Sequence, residues 1–191
     1  MEPESSGDSD RLRWNTRYER RGTPSFTAHP LASRALSIPP PDGPVLDLAC
    51  GPSGAALLAA ASGREVTAVD VSEVALGLLG DEARRRGLAH LVTLVHADLL
   101  EWRPPRSRFS LVLCTGYWDQ GVFGAAVGAL LPGGVLAWEA FTTDARRERP
   151  HLPAAWCLAP GEPASLLPAG SRIVELTDSG VKRSLLSVAP R

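Results

Sequence analysis

Residues 45–54 read VLDLACGPSG, an apolar stretch that contains one acid and then enters a short turn of small residues. The apolar stretch predicts a buried strand, and the glycines and proline predict a tight turn. The alanine-rich residues that follow, 53–62, predict a helix. A strand that leads through such a turn into a helix lets the backbone approach a ligand closely and offers it free amide groups. We therefore expect a ligand-binding loop at residues 50–54.

The same order of strand and helix repeats along the chain, which predicts a parallel sheet covered by helices on both faces. The last two apolar segments differ, because only an Asp-Ser-Gly turn separates them, and they predict an antiparallel hairpin at the sheet edge. The fold class we expect is α/β, a doubly wound, mostly parallel, seven-stranded sheet. Its predicted strands are 45–49, 65–70, 91–98, 109–116, 135–141, 171–180 and 181–190, with helices at 53–62, 72–87 and 121–131.

The length of 191 residues suits one domain. Residues 1–10 are acidic and polar and predict a disordered tail. Residues 11–41 predict a helical cap that ends in a proline-rich segment, and residues 42–191 predict the α/β core, which is Rossmann-like.

Composition excludes several classes of function. The net charge is −1 and no extended basic patch is present, which argues against nucleic acid and anionic membranes as partners. Three widely spaced cysteines suit a reducing compartment, and the N-terminus lacks the features of a signal peptide, so we expect a cytoplasmic protein. The four histidines have no metal-ligand spacing, and we predict no metal site.

Three acids, Asp47, Asp70 and Asp98, lie in or just after successive predicted strands. A carboxylate at the end of the second strand, as at Asp70, can accept hydrogen bonds from both hydroxyls of a ribose. Asp98 could accept a hydrogen bond from the amine of an adenine. The alternatives are a solvated strand end for Asp70 and a helix cap for Asp98. The only lysine is at 182, which excludes a P-loop, and the incomplete glycine pattern disfavours a nicotinamide-dependent oxidoreductase.

Four motifs carry a resemblance to a known family. VLDLACGPSG, VTAVDVSEVAL, HADLLEW and LLPGGVLAWEAF, in this order and spacing, resemble the class I S-adenosylmethionine-dependent methyltransferases. RWNTRYERRGTP and PGGVLAWEAFT are similar, more narrowly, to small bacterial methyltransferases of the tellurite-resistance-like group. The resemblance covers residues 11–190. It implies a Rossmann-like fold, S-adenosylmethionine as cofactor and methyl transfer as the reaction.

The resemblance also implies roles for individual residues. It places Asp47 as the residue that orders the loop, Asp70 on the ribose hydroxyls and Asp98 on the adenine edge. Ser53 departs from the pattern, since a glycine is usual there; it either caps the helix or loosens cofactor binding. The full set of implied cofactor-binding residues is Asp47, Ala49, Cys50, Gly51, Asp70, Val71, Asp98, Leu99 and Cys114, with Thr115 beside the transferable methyl group.

The methyl acceptor should lie over the ends of strands four and five. We predict Tyr117 and His151 as catalytic residues, the latter as a general base because its pKa is near neutral, although a loop residue is the alternative. The other candidates are Trp118, Asp119 and Phe141, with Trp14, Arg17 and Tyr18 from the N-terminal segment; Trp118 and Phe141 are equally explained as core or interface residues. We expect a small-molecule acceptor and a monomer or homodimer. The alternative is a non-catalytic cofactor-binding module or partner subunit.

Overall fold

A computed structural model of the chain describes residues 6–191. Its centre is one seven-stranded sheet with the order β3-β2-β1-β4-β5-β7-β6. The strands β1 to β5 are mutually parallel, whereas β7 is antiparallel to both β5 and β6. The predicted fold class is therefore confirmed. The strands are β1 Val45–Leu48, β2 Val66–Asp70, β3 Val92–His96, β4 Phe109–Thr115, β5 Leu130–Phe141, β6 Arg172–Ser179 and β7 Lys182–Val188.

Six α-helices accompany the sheet in the described residues: α1 Ser6–Arg20, α2 Pro30–Ser37, α3 Gly54–Ala61, α4 Glu73–Arg85, α5 Gln120–Ala129 and α6 Ala145–Glu148. The three helices that follow strands β1, β2 and β4 begin at polar N-caps. Ser53, Ser72 and Asp119 each accept a hydrogen bond from a backbone amide of the first helical turn. These caps fix where each helix starts, at the carboxyl edge of the sheet.

Two cores form because successive strand residues point to opposite faces of the sheet. In β1, Val45 belongs to the core under α2, α3 and α4, whereas Leu46 and Leu48 belong to the core under α5. The second core contains an aromatic cluster in which Trp118 and Trp138 are perpendicular, with ring centroids 6.2 Å apart. Trp118 is only 4% exposed and is a member of this core.

Two boundaries differ from the prediction by more than two residues. Helix α1 begins at Ser6, so residues 6–10 are helical rather than disordered, while residues 1–5 of the predicted tail lie outside the described residues. The helix is held by contacts that local composition does not encode, among them an ion pair of 2.7 Å from Arg11 to Glu73 of α4. Strand β5 also begins earlier than expected, at Leu130, which pairs with Phe109 before an irregularity in the register.

Among residues 6–191, no helix is long and apolar enough to cross a membrane.

Candidate functional site

The loop after β1 and the end of β2 are joined by one carboxylate. The backbone N–H of Gly51 donates to Oδ2 of Asp70 at 2.7 Å, and the N–H of Ser72 donates to Oδ1 at 2.8 Å. Ala49 and Gly51 both have left-handed backbone conformations, with φ of 47° and 56°. These dihedrals turn the chain sharply at the end of β1 and direct the Gly51 amide towards β2.

Asp70 is a buried charge, 5% exposed. Burial raises its pKa, and the hydrogen bonds from Ser72 and Gly51 only partly offset this effect. No cationic side chain of the described residues forms an ion pair with it. Each carboxylate oxygen accepts one backbone hydrogen bond and has capacity for another. The site therefore favours a ligand that brings hydroxyl donors or positive charge, and it disfavours a phosphate.

Asp47 lies beneath the same loop and is 3% exposed. Its Oδ2 accepts a hydrogen bond of 2.6 Å from the hydroxyl of Ser53, whose oxygen also accepts the N–H of Ala56 at 3.0 Å. Burial raises the pKa of Asp47 to about 7 against the lowering effect of Ser53. The hydroxyl of Ser53 thus caps α3 and fixes the carboxylate at the same time, which is the first of the two roles considered for it.

The N-terminal segment covers this loop. A side chain at Gly51 would place its Cβ 2.7 Å from the hydroxyl of Tyr18, so the tyrosine lies directly against the loop backbone. A Cβ at Gly54 would lie 2.4 Å from the backbone of Phe26 and Thr27. Only glycine permits this close approach of residues 26–27 to the start of α3.

Helix α1 is anchored on both sides of the loop. The hydroxyl of Ser72 donates to Oδ1 of Asn15 at 2.6 Å, and both residues are buried. On the other side, the guanidinium of Arg13 lies 4.4 Å from the ring centroid of Trp156, in the segment after β5. Helix α1 therefore spans the carboxyl edge of the sheet from the β2 end to the β5 end.

The third acid, Asp98, follows β3 and is partly exposed. Its Oδ1 accepts the N–H of Leu100 at 2.9 Å, and its carbonyl accepts the N–H of Trp102 at 2.8 Å. Asp98 therefore stabilises a turn through one carboxylate oxygen and its carbonyl. Leu99 beside it is buried in the core under α5. Val71, the other residue predicted to contact the adenine, has its carbonyl oxygen 3.0 Å from Nε2 of His96.

The cysteines near the loop are not activated thiols. Burial raises the pKa of both Cys50 and Cys114, and the negative charge of Asp47 raises each further. Both thiols are consequently protonated at neutral pH and line the site as small apolar groups. No cluster of three or more histidine, cysteine or acidic side chains within residues 6–191 could hold a metal ion.

The two predicted catalytic residues, Tyr117 and His151, lie in different environments. Tyr117 is half-buried after β4, and burial raises the pKa of its hydroxyl, with further contributions from Asp119, Cys114, Asp98 and Asp10. Its hydroxyl is thus a hydrogen-bond donor at neutral pH and not a base. His151 is exposed in the turn after α6, and no hydrogen bond or ion pair to the described residues orients its ring.

Sequence reasoning missed a charged cluster at the end of β5, on the face under α2. Glu139 is 7% exposed and accepts from Nζ of Lys182 at 2.7 Å, from the hydroxyl of Ser184 at 2.7 Å and from Nε2 of His29 at 3.3 Å. Burial alone would raise its pKa, but the hydrogen bonds from His29, Lys182 and Ser184 outweigh it and lower the pKa to about 2.

The His29 ring connects this cluster to α2. Its Nδ1 accepts the N–H of Leu31 at 3.2 Å and caps α2, so the ring proton is on Nε2 and points to Glu139. One signal in the sequence could have revealed the cluster: an acid within the apolar strand VLAWEAF, in a chain with a single lysine.

Comparisons with known proteins agree with this architecture. The family model described as Methyltransferase domain matches residues 45–134, just under half of the chain. Among solved structures, the protein described under "Conversion of a Disulfide Bond into a Thioacetal Group during Echinomycin Biosynthesis" is similar with a TM-score of 0.69 at 19% identity, over 94% of this chain and 91% of that one. Geranyl diphosphate C-methyltransferase from Streptomyces coelicolor A3(2), solved with S-adenosyl-L-homocysteine, has a TM-score of 0.68 at 14% identity, over 99% of this chain and 100% of that one.

TehB from Haemophilus influenzae is similar with a TM-score of 0.67 at 14% identity, over 93% of this chain and 67% of that one. At these identities the structural likenesses show the fold. No curated protein matches the sequence.

Proposed function

We propose that this chain, which carries a class I S-adenosylmethionine-dependent methyltransferase domain over residues 45–134, methylates a small-molecule acceptor. S-Adenosylmethionine is the cofactor of this domain class, and the transfer is an in-line displacement at its methyl group. The structural neighbours include a C-methyltransferase that was solved with geranyl diphosphate, a small molecule. The narrower similarity to tellurite-resistance-like methyltransferases is supported by TehB among the neighbours.

The observation that carries the proposal is the buried bridge from Asp70 to Gly51. It holds a carboxylate, without a cationic partner among the described side chains, next to a glycine-containing loop that Tyr18 of the N-terminal segment covers. A ribose supplies two hydroxyl donors to such a carboxylate, as at the same strand end in nucleoside-binding sheets. The residues present therefore fit a nucleoside that also carries positive charge.

The other loop residues complete this assignment. We assign the backbone of Ala49, Cys50 and Gly51 to the methionine part and Val71 to the adenine face. Asp98 keeps one carboxylate oxygen for the adenine amine, with Leu99 beside it, and Cys114 and Thr115 end β4 next to the reacting groups. Asp47 acts through Ser53, because their hydrogen bond fixes the start of α3 under the loop.

When bound, the cofactor supplies an electrophilic methyl group on a positively charged sulfur. The acceptor atom would attack that methyl carbon, and the electron pair of the broken carbon–sulfur bond would stay on sulfur. Such a displacement needs alignment and exclusion of water more than a dedicated base. Helix α1 contributes to both, since it spans the carboxyl edge of the sheet. A proton on the acceptor leaves to solvent or to His151, and Tyr117 donates a hydrogen bond to the acceptor.

Calorimetry with S-adenosylmethionine and S-adenosylhomocysteine tests the first half of the proposal. We expect both to bind with micromolar or tighter affinity, and absence of binding would overturn the assignment. Turnover is then measured as formation of S-adenosylhomocysteine with a panel of thiols, phenols, amines and oxyanions.

The second candidate, a non-catalytic cofactor-binding module, is favoured by one observation: neither Tyr117 nor His151 is held as a base. It predicts tight cofactor binding without turnover of any acceptor in that panel.

A further inference from the structure

A second group of side chains lies beside the proposed transfer site, on β5, β7 and the segment after β5. Its centre is the half-buried ring of Phe141 at the carboxyl end of β5. The guanidinium carbon of Arg149 lies 4.8 Å from the centroid of this ring, and Nζ of Lys182 lies 5.5 Å from it. We call these three residues the Phe141 platform. Both cations are attracted to the ring, which therefore has two positive charges within 5.5 Å of its centroid.

Strand register fixes where the lysine lies. Lys182 is directly opposite Phe141 in the antiparallel β5–β7 pair, and Ser184 is directly opposite Glu139. The carboxylate of Glu139 is nearly buried and binds Nζ of Lys182 at 2.7 Å. The lysine is therefore held in one place by a rigid part of the sheet, while two of its three N–H groups are free for a ligand.

The platform carries excess positive charge. Glu139 balances the charge of Lys182, but Arg149 forms no ion pair with any acid of residues 6–191. Both cations reach solvent, since the side chain of Lys182 is 37% exposed and Arg149 is exposed. The two cations reach solvent beside an apolar ring, and one of their two positive charges is not balanced by an acid. Such a site suits a ligand that carries an anionic group on an apolar framework.

The distance from the cofactor loop limits the length of the apolar framework of such a ligand. The loop follows β1, and β4 lies between β1 and β5, with Thr115 of β4 directly beside Glu139 of β5. Neighbouring strands are about 4.8 Å apart, so the platform on β5 and β7 lies roughly 10 to 14 Å across the sheet from the loop. Under the proposed function the transferable methyl group would lie beside Thr115 at the end of β4, so the acceptor would extend from there across about one to two strand spacings. About 5 to 10 Å remain, which is the length of one substituted ring.

We propose that the methyl acceptor is a single-ring compound with a carboxylate, which Lys182 and Arg149 bind while the ring lies against Phe141. The inference rests on the proposed function and narrows its acceptor class. The reacting atom of the acceptor then lies over the end of β4, at the opposite end of the ring from the carboxylate. Glu139 is a positioning residue, because it acts only through Lys182.

The test uses benzoate and its neutral isostere benzamide as probes, titrated by ligand-observed NMR into the full chain, with and without saturating S-adenosylhomocysteine. We expect benzoate to bind at least about tenfold more tightly than benzamide, the difference expected for charge-assisted hydrogen bonds. Arg149→Met should reduce benzoate affinity about tenfold and leave benzamide unchanged. Arg147→Met is the matched control, since Arg147 is exposed in the same segment and pairs with Asp144 at 3.5 Å.

Lys182→Met also removes the partner of Glu139, so it is compared with Lys182→Arg, which keeps the ion pair. We expect a loss of benzoate binding in the first and its retention in the second. Equal binding of the two probes, no binding of either, or an unchanged benzoate affinity in Arg149→Met overturns the proposal. Failure of S-adenosylhomocysteine to bind overturns the proposed function instead, and the titrations on the free protein still measure the charge preference of the platform.

Discussion

The hydroxyl of Ser53 donates a hydrogen bond of 2.6 Å to Asp47 and accepts one of 3.0 Å from the backbone of Ala56. One side chain thus connects the middle of the sheet to the first turn of α3. The residue that departs from the family pattern has a structural task that a glycine could not perform, because glycine has no hydroxyl to satisfy a buried carboxylate.

Ser53→Ala should lower the free energy of unfolding by about 1 to 3 kcal/mol, because it removes an N-cap and leaves a buried carboxylate without its donor. Urea denaturation measures the change. Ser62→Ala is the matched control at the other end of α3, where an exposed hydroxyl donates to the carbonyl of Ala59 at 2.7 Å; it should change stability by less than about 0.5 kcal/mol. Equal effects of the two substitutions would contradict this account.

Asp47 should make the protein less stable as pH rises. The pKa of Asp47 is about 7 in the folded protein against an ordinary value of 3.8, so between these values the folded state binds more protons than the unfolded state. Stability from this group is then fully present below about pH 4 and is lost as pH rises through 7. Asp47→Asn should flatten the dependence of unfolding free energy on pH between about 4 and 7. An unchanged pH profile in this variant would remove the assignment.

Asp70→Asn should weaken binding of S-adenosylmethionine about 10- to 100-fold, since it removes the charge that accepts the proposed ribose hydroxyls. Calorimetry measures the affinity, and thermal unfolding checks that the loop remains folded. Asp81→Asn, on the exposed face of α4, is the matched control and should bind as the original chain does. If both variants bind equally well, Asp70 does not hold the ribose.

Gly54→Ala and Gly77→Ala should change stability in opposite directions. At Gly54 a Cβ would lie 2.4 Å from the backbone of Phe26 and Thr27, so we expect a loss of roughly 1 to 3 kcal/mol as the N-terminal segment is displaced. At Gly77, in the interior of α4, no atom lies within 4 Å of the added carbon, and alanine should stabilise the helix by up to about 1 kcal/mol. A stabilising Gly54→Ala would show that the segment does not lie against α3.

The sequence predicted the features that depend on local pattern. The apolar stretches and the turns between them were sufficient to predict the order of strands and helices along the chain. They also predicted that Asp47 and Asp70 lie near the carboxyl edge of the sheet. The sequence predicted a helical cap from residue 11 but not the start of α1 at Ser6, because that helix is stabilised by Arg11 and Asn15 through partners 62 and 57 residues away. The cluster around Glu139 was missed for the same reason, since its four members come from three separate segments of the chain.

The order of strands has a consequence for biosynthesis. Strand β7 follows β6 in the chain but lies between β5 and β6 in the sheet. On the ribosome, β6 therefore leaves the exit tunnel before the strand with which it pairs. Until Lys182–Val188 is synthesised, Glu139 lacks its lysine partner and β5 has one open edge. We expect the parallel half of the sheet to form first during translation, and the proposed acceptor site to be completed only when β7 inserts.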